Sequence, residues 1–145
     1  MKINLITFFW SNNLGALIQA FSLKNFIEKE TKKKIRFNNY QPKDLIKRER
    51  FSQINRKNIS IIHKVILKKI KLFNWKRKLL KCDFPNQKIL DYNDDLYIYG
   101  SDEIWNIQNH YYGFDTHFFG ENNNSKKISY AASFGKVDFD LISSL

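Results

Sequence analysis

The chain has 145 residues, of which 43% are hydrophobic and 16% aromatic, and this predicts one globular domain with its own core and excludes a disordered tail. The excess behind its formal net charge of +11 is concentrated between Lys43 and Lys81, and such a basic patch can attract phosphate-rich partners or an anionic membrane surface. The single cysteine, Cys82, excludes an intramolecular disulfide, fits a reducing cytoplasm and forms no zinc-site spacing with the histidines.

The first part of the chain has the pattern of a βαβ unit. Lys2 to Trp10 is a near-continuous apolar run, typical of a strand buried on both faces of a parallel sheet and too short to span a membrane. Ser11 to Asn13 is a turn signal, and Leu14 to Ile27 then carries apolar residues at helical spacing. Alternation from Ile35 to Tyr40 predicts a second strand, parallel to the first through a right-handed crossover.

The segment from Asp44 to Lys81 is predicted to be helical and is strongly basic. Apolar residues recur at spacings of four, four and three, at Ile62, Ile66, Ile70 and Phe73. Two interpretations stay open: a helix packed on the domain with a solvated lysine face, or a helix that contacts a membrane surface or another partner. Both place the segment outside the active site, and His63 within it is interpreted as structural.

The second half of the chain predicts two further strands and a short helix. The strands are Leu96 to Tyr99 and Lys127 to Ala132, and a loop rich in Gly and Asn separates them. His110 and His117 in this loop are candidate acids or bases near neutral pH, although isolated surface histidines are usually incidental. Asp138 is a cap for the last helix, whose shortness favours a truncated chain.

Three polar clusters directly follow the three best predicted strands. They are Ser11–Gly15, Gly100–Asn106 and Ala131–Gly135. In open parallel sheets, ligands bind in the crevice beyond the carboxyl ends of the strands. The sequence therefore predicts an α/β fold, a parallel-sheet Rossmann-like domain, in which all three clusters line one cleft.

Residues in these clusters have structural as well as functional interpretations. Gly15 either admits a ligand to the backbone N–H groups at the helix start or lets the helix pack on the sheet, and the loop has neither a P-loop nor a dinucleotide fingerprint. Asp102 stands where a helix N-cap is expected, and would otherwise orient a substrate hydroxyl or act as a base. Trp105 is either a core aromatic or a flat surface for a sugar ring.

The same loops resemble those of the polysaccharide pyruvyl transferase family. The resemblance rests on Ile6–Phe8 followed by Asn13–Ala20, on Gly100–Asn106 and on Ile128–Gly135, which occur in the order of the family. It runs from about Lys2 to Gly135 and is loose over residues 43–90. It implies that residues 1–145 are the amino-terminal half of a two-domain, glycosyltransferase-B-like enzyme.

The resemblance also implies an activity. Such an enzyme moves the pyruvyl group of phosphoenolpyruvate onto two hydroxyls of a sugar or lipid-linked saccharide, forming a ketal during cell-surface polysaccharide biosynthesis, and it uses no cofactor. The acceptor would lie in this half and the donor-binding residues in the other, so residues 1–145 are expected to be inactive alone. Asp102 is the candidate catalytic residue, and the candidate substrate-binding residues are Asn13, Gly15, Gln19, Gly100, Ser101, Trp105, Asn106 and Ser133.

Other functions remain open at this point. The fold also fits half of a glycosyltransferase that uses a nucleotide sugar, and a non-catalytic remnant or binding module is a further alternative. A nucleic-acid binder rests on charge alone, without a recognised motif, and is not favoured. The expected location is the cytoplasm, at the inner face of the membrane if the basic helix contacts lipid.

Overall fold

A computed structural model describes residues 1–10, 13–38, 40–42, 94–109, 113–121 and 124–143, together with residues 63, 66–68, 70–71 and 73–75. The strands are β1 (Ile3–Ile6), β2 (Ile35–Phe37), β3 (Leu96–Asp102) and β4 (Lys126–Ala132). The helices are α1 (Leu14–Thr31), a 3₁₀ helix (Thr116–Phe119) and α2 (Phe139–Ser143).

The four strands form one sheet in the order β2-β1-β3-β4, and every pairing is parallel. Ile3 lies opposite Ile35 on one side and Leu96 on the other. On the far side of β3, Ile98 lies opposite Ile128. The predicted α/β Rossmann-like fold, with β1 in the middle of a parallel sheet, is confirmed.

Apolar side chains cover both faces of the two central strands. Leu5 and Ile98 belong to a buried cluster that includes Leu23 of α1. Tyr97 and Tyr99 belong to a second cluster, which includes Phe118 of the 3₁₀ helix. Because neighbouring residues of a strand point to opposite faces, this division places Leu23 of α1 and Phe118 of the 3₁₀ helix on opposite faces of the sheet. Ala16, in the first turn of α1, belongs to the same cluster as Phe118.

Two strands are shorter than predicted. The structure ends β1 at Ile6, and the aromatic residues that follow are buried by ring packing instead of strand pairing: Phe9 stacks on Phe37 at 4.6 Å. It ends β2 at Phe37 because the side chain of Asn38 accepts a hydrogen bond from the Tyr40 N–H at 2.9 Å, which turns the chain.

Both predicted helices around the sheet are present. Asn13 is the N-cap of α1, and Lys32 ends the helix in the left-handed conformation within the predicted polar stretch. The Asp138 side chain accepts the Asp140 N–H at 3.2 Å, as predicted for the cap of α2. In the basic segment, the described residues between 63 and 75 are helical, and the remaining residues of 44–81 lie outside the described part of the chain.

A buried ion pair fastens the amino ends of the strands. The Asp94 side chain, 1% exposed, pairs with Arg36 of β2 and accepts a hydrogen bond from Asn4 Nδ2 of β1 at 2.9 Å. It therefore joins three strands at the end opposite the polar clusters. Over the described residues, no helix is both long enough and apolar enough to cross a bilayer.

Candidate functional site

The loops that follow β3 and β4 are held together at the carboxyl end of the sheet. The Ser133 N–H donates to the carbonyl of Asp102 at 3.0 Å, and the Trp105 N–H donates to the carbonyl of Ser133 at 3.2 Å. From the segment after β1, the Thr7 hydroxyl donates to the carbonyl of Ser101 at 3.4 Å. The second and third polar clusters thus form one unit, and the chain leaving β1 contacts it.

Gly100 allows the close approach of β3 and β4. Its φ of +110° is rarely adopted by other residues, and an added Cβ would overlap the carbonyl oxygen of Tyr130 and lie 2.9 Å from the Ala132 nitrogen. The next residue, Ser101, is buried, and its hydroxyl oxygen has no hydrogen-bond partner among the described residues. Gly100 and Ser101 are therefore both buried at the end of β3, and their predicted role in substrate binding stays a prediction.

Asp102 is a partly buried carboxylate at the end of β3. Burial raises its pKa above the ordinary value; the hydrogen bond that its side chain accepts from the Glu103 N–H at 2.8 Å opposes this, and the nearby Glu103 charge reinforces it. Its φ of 156° is unusual for a residue with a side chain. Such backbone conformations concentrate at functional sites.

The prediction that Asp102 caps a helix is wrong. The residues from Glu103 to Asn109 form turns and no helix. The Trp105 N–H is bonded across to Ser133, and the Asn106 N–H closes a turn onto the carbonyl of Glu103 at 3.1 Å. These two N–H groups therefore bond to the neighbouring loop and to a local turn, and the chain after Asp102 forms turns instead of a helix.

Glu103 also lies in this site, although it was not among the site residues predicted from the sequence. The exposed Glu103 carboxylate accepts a hydrogen bond from Asn106 Nδ2 at 3.0 Å. An added Cβ at Gly135, which has a φ of +65°, would lie 2.6 Å from Glu103 Oε2. The Gly135 N–H in turn donates to the Ser133 hydroxyl at 3.3 Å. The only signal in the sequence was its position beside Asp102.

Trp105 has a structural contact and also lies in a partly exposed aromatic cluster. Its indole N–H donates to the carbonyl of Phe118 at 2.9 Å, which fixes the ring on the core. The ring stacks on Phe119 at 6.1 Å and contacts Phe134 at 5.5 Å. Phe119 is 37% exposed, so the cluster reaches the surface beside the β3 and β4 loops.

The start of α1 carries the remaining candidates. Asn13 Oδ1 accepts the Gly15 N–H at 2.9 Å, so this side chain caps the helix. Asn13, Gly15 and Gln19 are exposed. Ala16 shares a buried cluster with Ile104 of the β3 loop. The first turn of α1 therefore packs in the same cluster as that loop, whereas Ser11 and Asn12 lie outside the described residues.

His117 is not a surface acid or base. It is buried, its ring stacks on Tyr40 at 3.9 Å, and Tyr40 donates its hydroxyl to Asp115 at 2.7 Å. Burial lowers the pKa of His117 to about 4, and the charge of Asp115 only partly opposes this. The ring is therefore neutral near pH 7, and the expectation of a surface histidine that titrates near neutral pH is wrong. His110 lies outside the described residues, and His63 is exposed.

Within the described ranges, no group of three or more His, Cys, Asp or Glu side chains could hold a metal ion. Among known protein families, the model described as polysaccharide pyruvyl transferase matches residues 13–143. The match covers most of the chain and includes the loops after β3 and β4 as well as the start of α1. No curated protein and no solved structure gives a match to the chain.

Proposed function

Because the chain belongs to the polysaccharide pyruvyl transferase family, we propose that it positions a saccharide acceptor for transfer of a pyruvyl group from phosphoenolpyruvate. The observation that supports this role is the joined β3 and β4 loop unit. It places the carboxyl of Asp102, the carboxylate of Glu103 and the hydroxyl of Ser133 on loops that hydrogen-bond to each other. Groups of this kind bind and orient sugar hydroxyls.

The proposed reaction needs proton transfer to carbon and from oxygen. One acceptor hydroxyl adds to the central carbon of phosphoenolpyruvate and loses its proton to a base, while the methylene carbon gains a proton and becomes a methyl group. The second hydroxyl then forms the other C–O bond as the C–O bond to phosphate breaks, and its proton leaves with the phosphate. Both hydroxyls must be held in one geometry, which is the part of catalysis assigned to this domain.

Asp102 fits the role of proton acceptor for an acceptor hydroxyl. A carboxylate whose pKa burial has raised is a stronger base than an exposed one. Glu103 is held by Asn106 and supplies a second acceptor of hydrogen bonds. The aromatic cluster around Trp105 and Phe119 offers an apolar ring surface beside these polar groups, as sugar rings require.

A binding titration on the 145-residue chain tests this function. We expect saccharides to cause nuclear magnetic resonance shifts at the backbone amides of Glu103, Asn106 and Gly135, and Asp102→Asn to weaken binding by roughly tenfold because the charged acceptor is lost. Asp138→Asn is the matched control, since it changes a carboxylate outside the loop unit. A nucleotide sugar that binds this loop while simple saccharides do not would favour a glycosyltransferase function instead.

Turnover is a separate expectation. The family resemblance assigns donor binding to a carboxy-terminal half, so we expect residues 1–145 alone to bind an acceptor without releasing phosphate from phosphoenolpyruvate. Acceptor-dependent phosphate release by the purified chain would contradict this division of roles and would leave the pyruvyl transfer itself supported.

A further inference from the structure

The basic segment exposes a set of large apolar side chains. The described residues between 63 and 75 are helical, and all of them are exposed. The exposed fractions are 49% for Ile66, 52% for Ile70 and 60% for Phe73. Leu67 and Trp75 are also exposed. Large apolar side chains that gather on one short helix mark an interaction surface, whereas scattered ones need no explanation.

Three large apolar residues of this segment lie on a different face from its described lysines. Ile66, Ile70 and Phe73 follow each other at spacings of four and three residues, which places them on one side of an α-helix. Lys68, Lys71 and Trp75 are exposed and fall on the opposite side. A helix with large apolar residues on one face and lysines on the other has the form of an interfacial membrane helix.

The charge of the surrounding sequence selects an anionic surface. Between Glu49 and Asp83 the sequence contains no acidic residue. The basic residues of that stretch are Arg50, Arg56, Lys57, Lys64, Lys68, Lys69, Lys71, Lys76, Arg77, Lys78 and Lys81. Clusters of this size are attracted to anionic lipid head groups, with an effect of about fivefold in affinity for each lysine near the surface.

We propose that the described helical residues between 63 and 75 bind the surface of an anionic membrane. Ile66, Ile70 and Phe73 enter the boundary between head groups and acyl chains, and the lysines remain near lipid phosphates. A nucleic acid would neutralise the lysines but would leave the isoleucines in water. The proposal concerns a surface outside the loop unit and does not depend on the proposed function.

Vesicle binding with matched variants tests the apolar face. The full chain is sedimented with vesicles of phosphatidylcholine mixed with phosphatidylglycerol, and with phosphatidylcholine alone. We expect binding to the anionic vesicles only, weakened at least about tenfold by Ile70→Ser with Phe73→Ser. Phe26→Ser is the control, because Phe26 is 59% exposed on α1 and should not contact the membrane.

A second pair of variants tests the charge. Lys68→Gln with Lys71→Gln should weaken binding about 25-fold, and added salt should remove the difference. Lys29→Gln with Lys33→Gln changes the net charge equally on exposed residues of α1 and its end, and we expect a much smaller effect. Equal losses for both pairs would show attraction by net charge alone and would overturn the proposal.

The fluorescence of a tryptophan placed on the apolar face gives a readout that does not require the serine variants to fold. In a variant with Phe73→Trp and Trp75→Phe, emission should shift to shorter wavelength when anionic vesicles are added, since Trp10 and Trp105 pack against the core. Trp75→Phe alone should show no shift, and a shift in that variant, or none in the variant with Phe73→Trp, would overturn the proposal. So would tight binding to RNA, or self-association, that depends on Ile70 and Phe73 while vesicles have no effect.

Discussion

Gly100→Ala should destabilise the protein strongly, because two independent costs meet at this position. The φ of +110° costs a residue with a side chain about 1–3 kcal/mol. The new Cβ would also overlap the carbonyl oxygen of Tyr130, to which Gly100 is paired in the sheet, and forcing the strands apart costs about 1–3 kcal/mol more. The expected loss of about 2–6 kcal/mol is a large part of the 5–15 kcal/mol by which domains are typically stable.

Urea unfolding measures this loss, with Gly113→Ala as the matched control. Gly113 also has a positive φ, of +57°, but an added Cβ there has no described atom within 4 Å. The control should therefore lose about 1 kcal/mol, from backbone strain alone. With a slope near 2 kcal/mol per molar urea, a loss of about 4 kcal/mol moves the midpoint by about 2 M. Equal midpoints for the two variants would refute the overlap between β3 and β4.

Three further predictions concern ionisable side chains. The pKa of Asp102 is raised in the folded protein, so its ionisation lowers the stability of the fold as pH rises above the ordinary value of 3.8. Asp102→Asn should therefore raise the melting temperature at pH 7 and should give no such gain near pH 3.5. A lower melting temperature of this variant at pH 7 would contradict the argument. The His117 ring should titrate with a midpoint of about 4 by nuclear magnetic resonance. Stability should therefore fall as pH decreases from 6.5, the ordinary pKa of histidine, through that midpoint. A measured midpoint near 6.5 would show that water reaches the ring. Asp94→Ala should cost about 1–3 kcal/mol in urea unfolding, because it leaves the buried Asn4 amide without its acceptor. Asp95→Ala, at a carboxylate 58% exposed, should change stability little, and equal effects would exclude a role for burial.

The raised pKa of Asp102 has a consequence for the site as well as for stability. A carboxylate held partly out of water destabilises the fold at neutral pH, and the same environment strengthens it as a base. An Asp102→Asn variant that is more stable and binds saccharide less well would show both effects at once. Functional groups often carry a cost of this kind in stability.

Some features of this protein follow from local sequence alone. The apolar run of β1, the helical spacing of α1 and the alternation of β2 are properties of neighbouring residues, so they predict a parallel βαβ unit before any tertiary contact is known. The polar clusters after the strands and the family match are local patterns too. Polar residues that end buried strands must lie at one edge of a parallel sheet.

Only the tertiary structure decided what individual side chains do there. The sequence around Asp102 is compatible with a helix cap, but the neighbouring loop takes up the Trp105 N–H, so turns form instead. His117 is buried under Tyr40, which is 77 positions away in the sequence, and this removes its proton near neutral pH. Local patterns record which residues are neighbours in the chain, whereas hydrogen-bond partners, burial and pKa depend on residues that folding brings together from elsewhere.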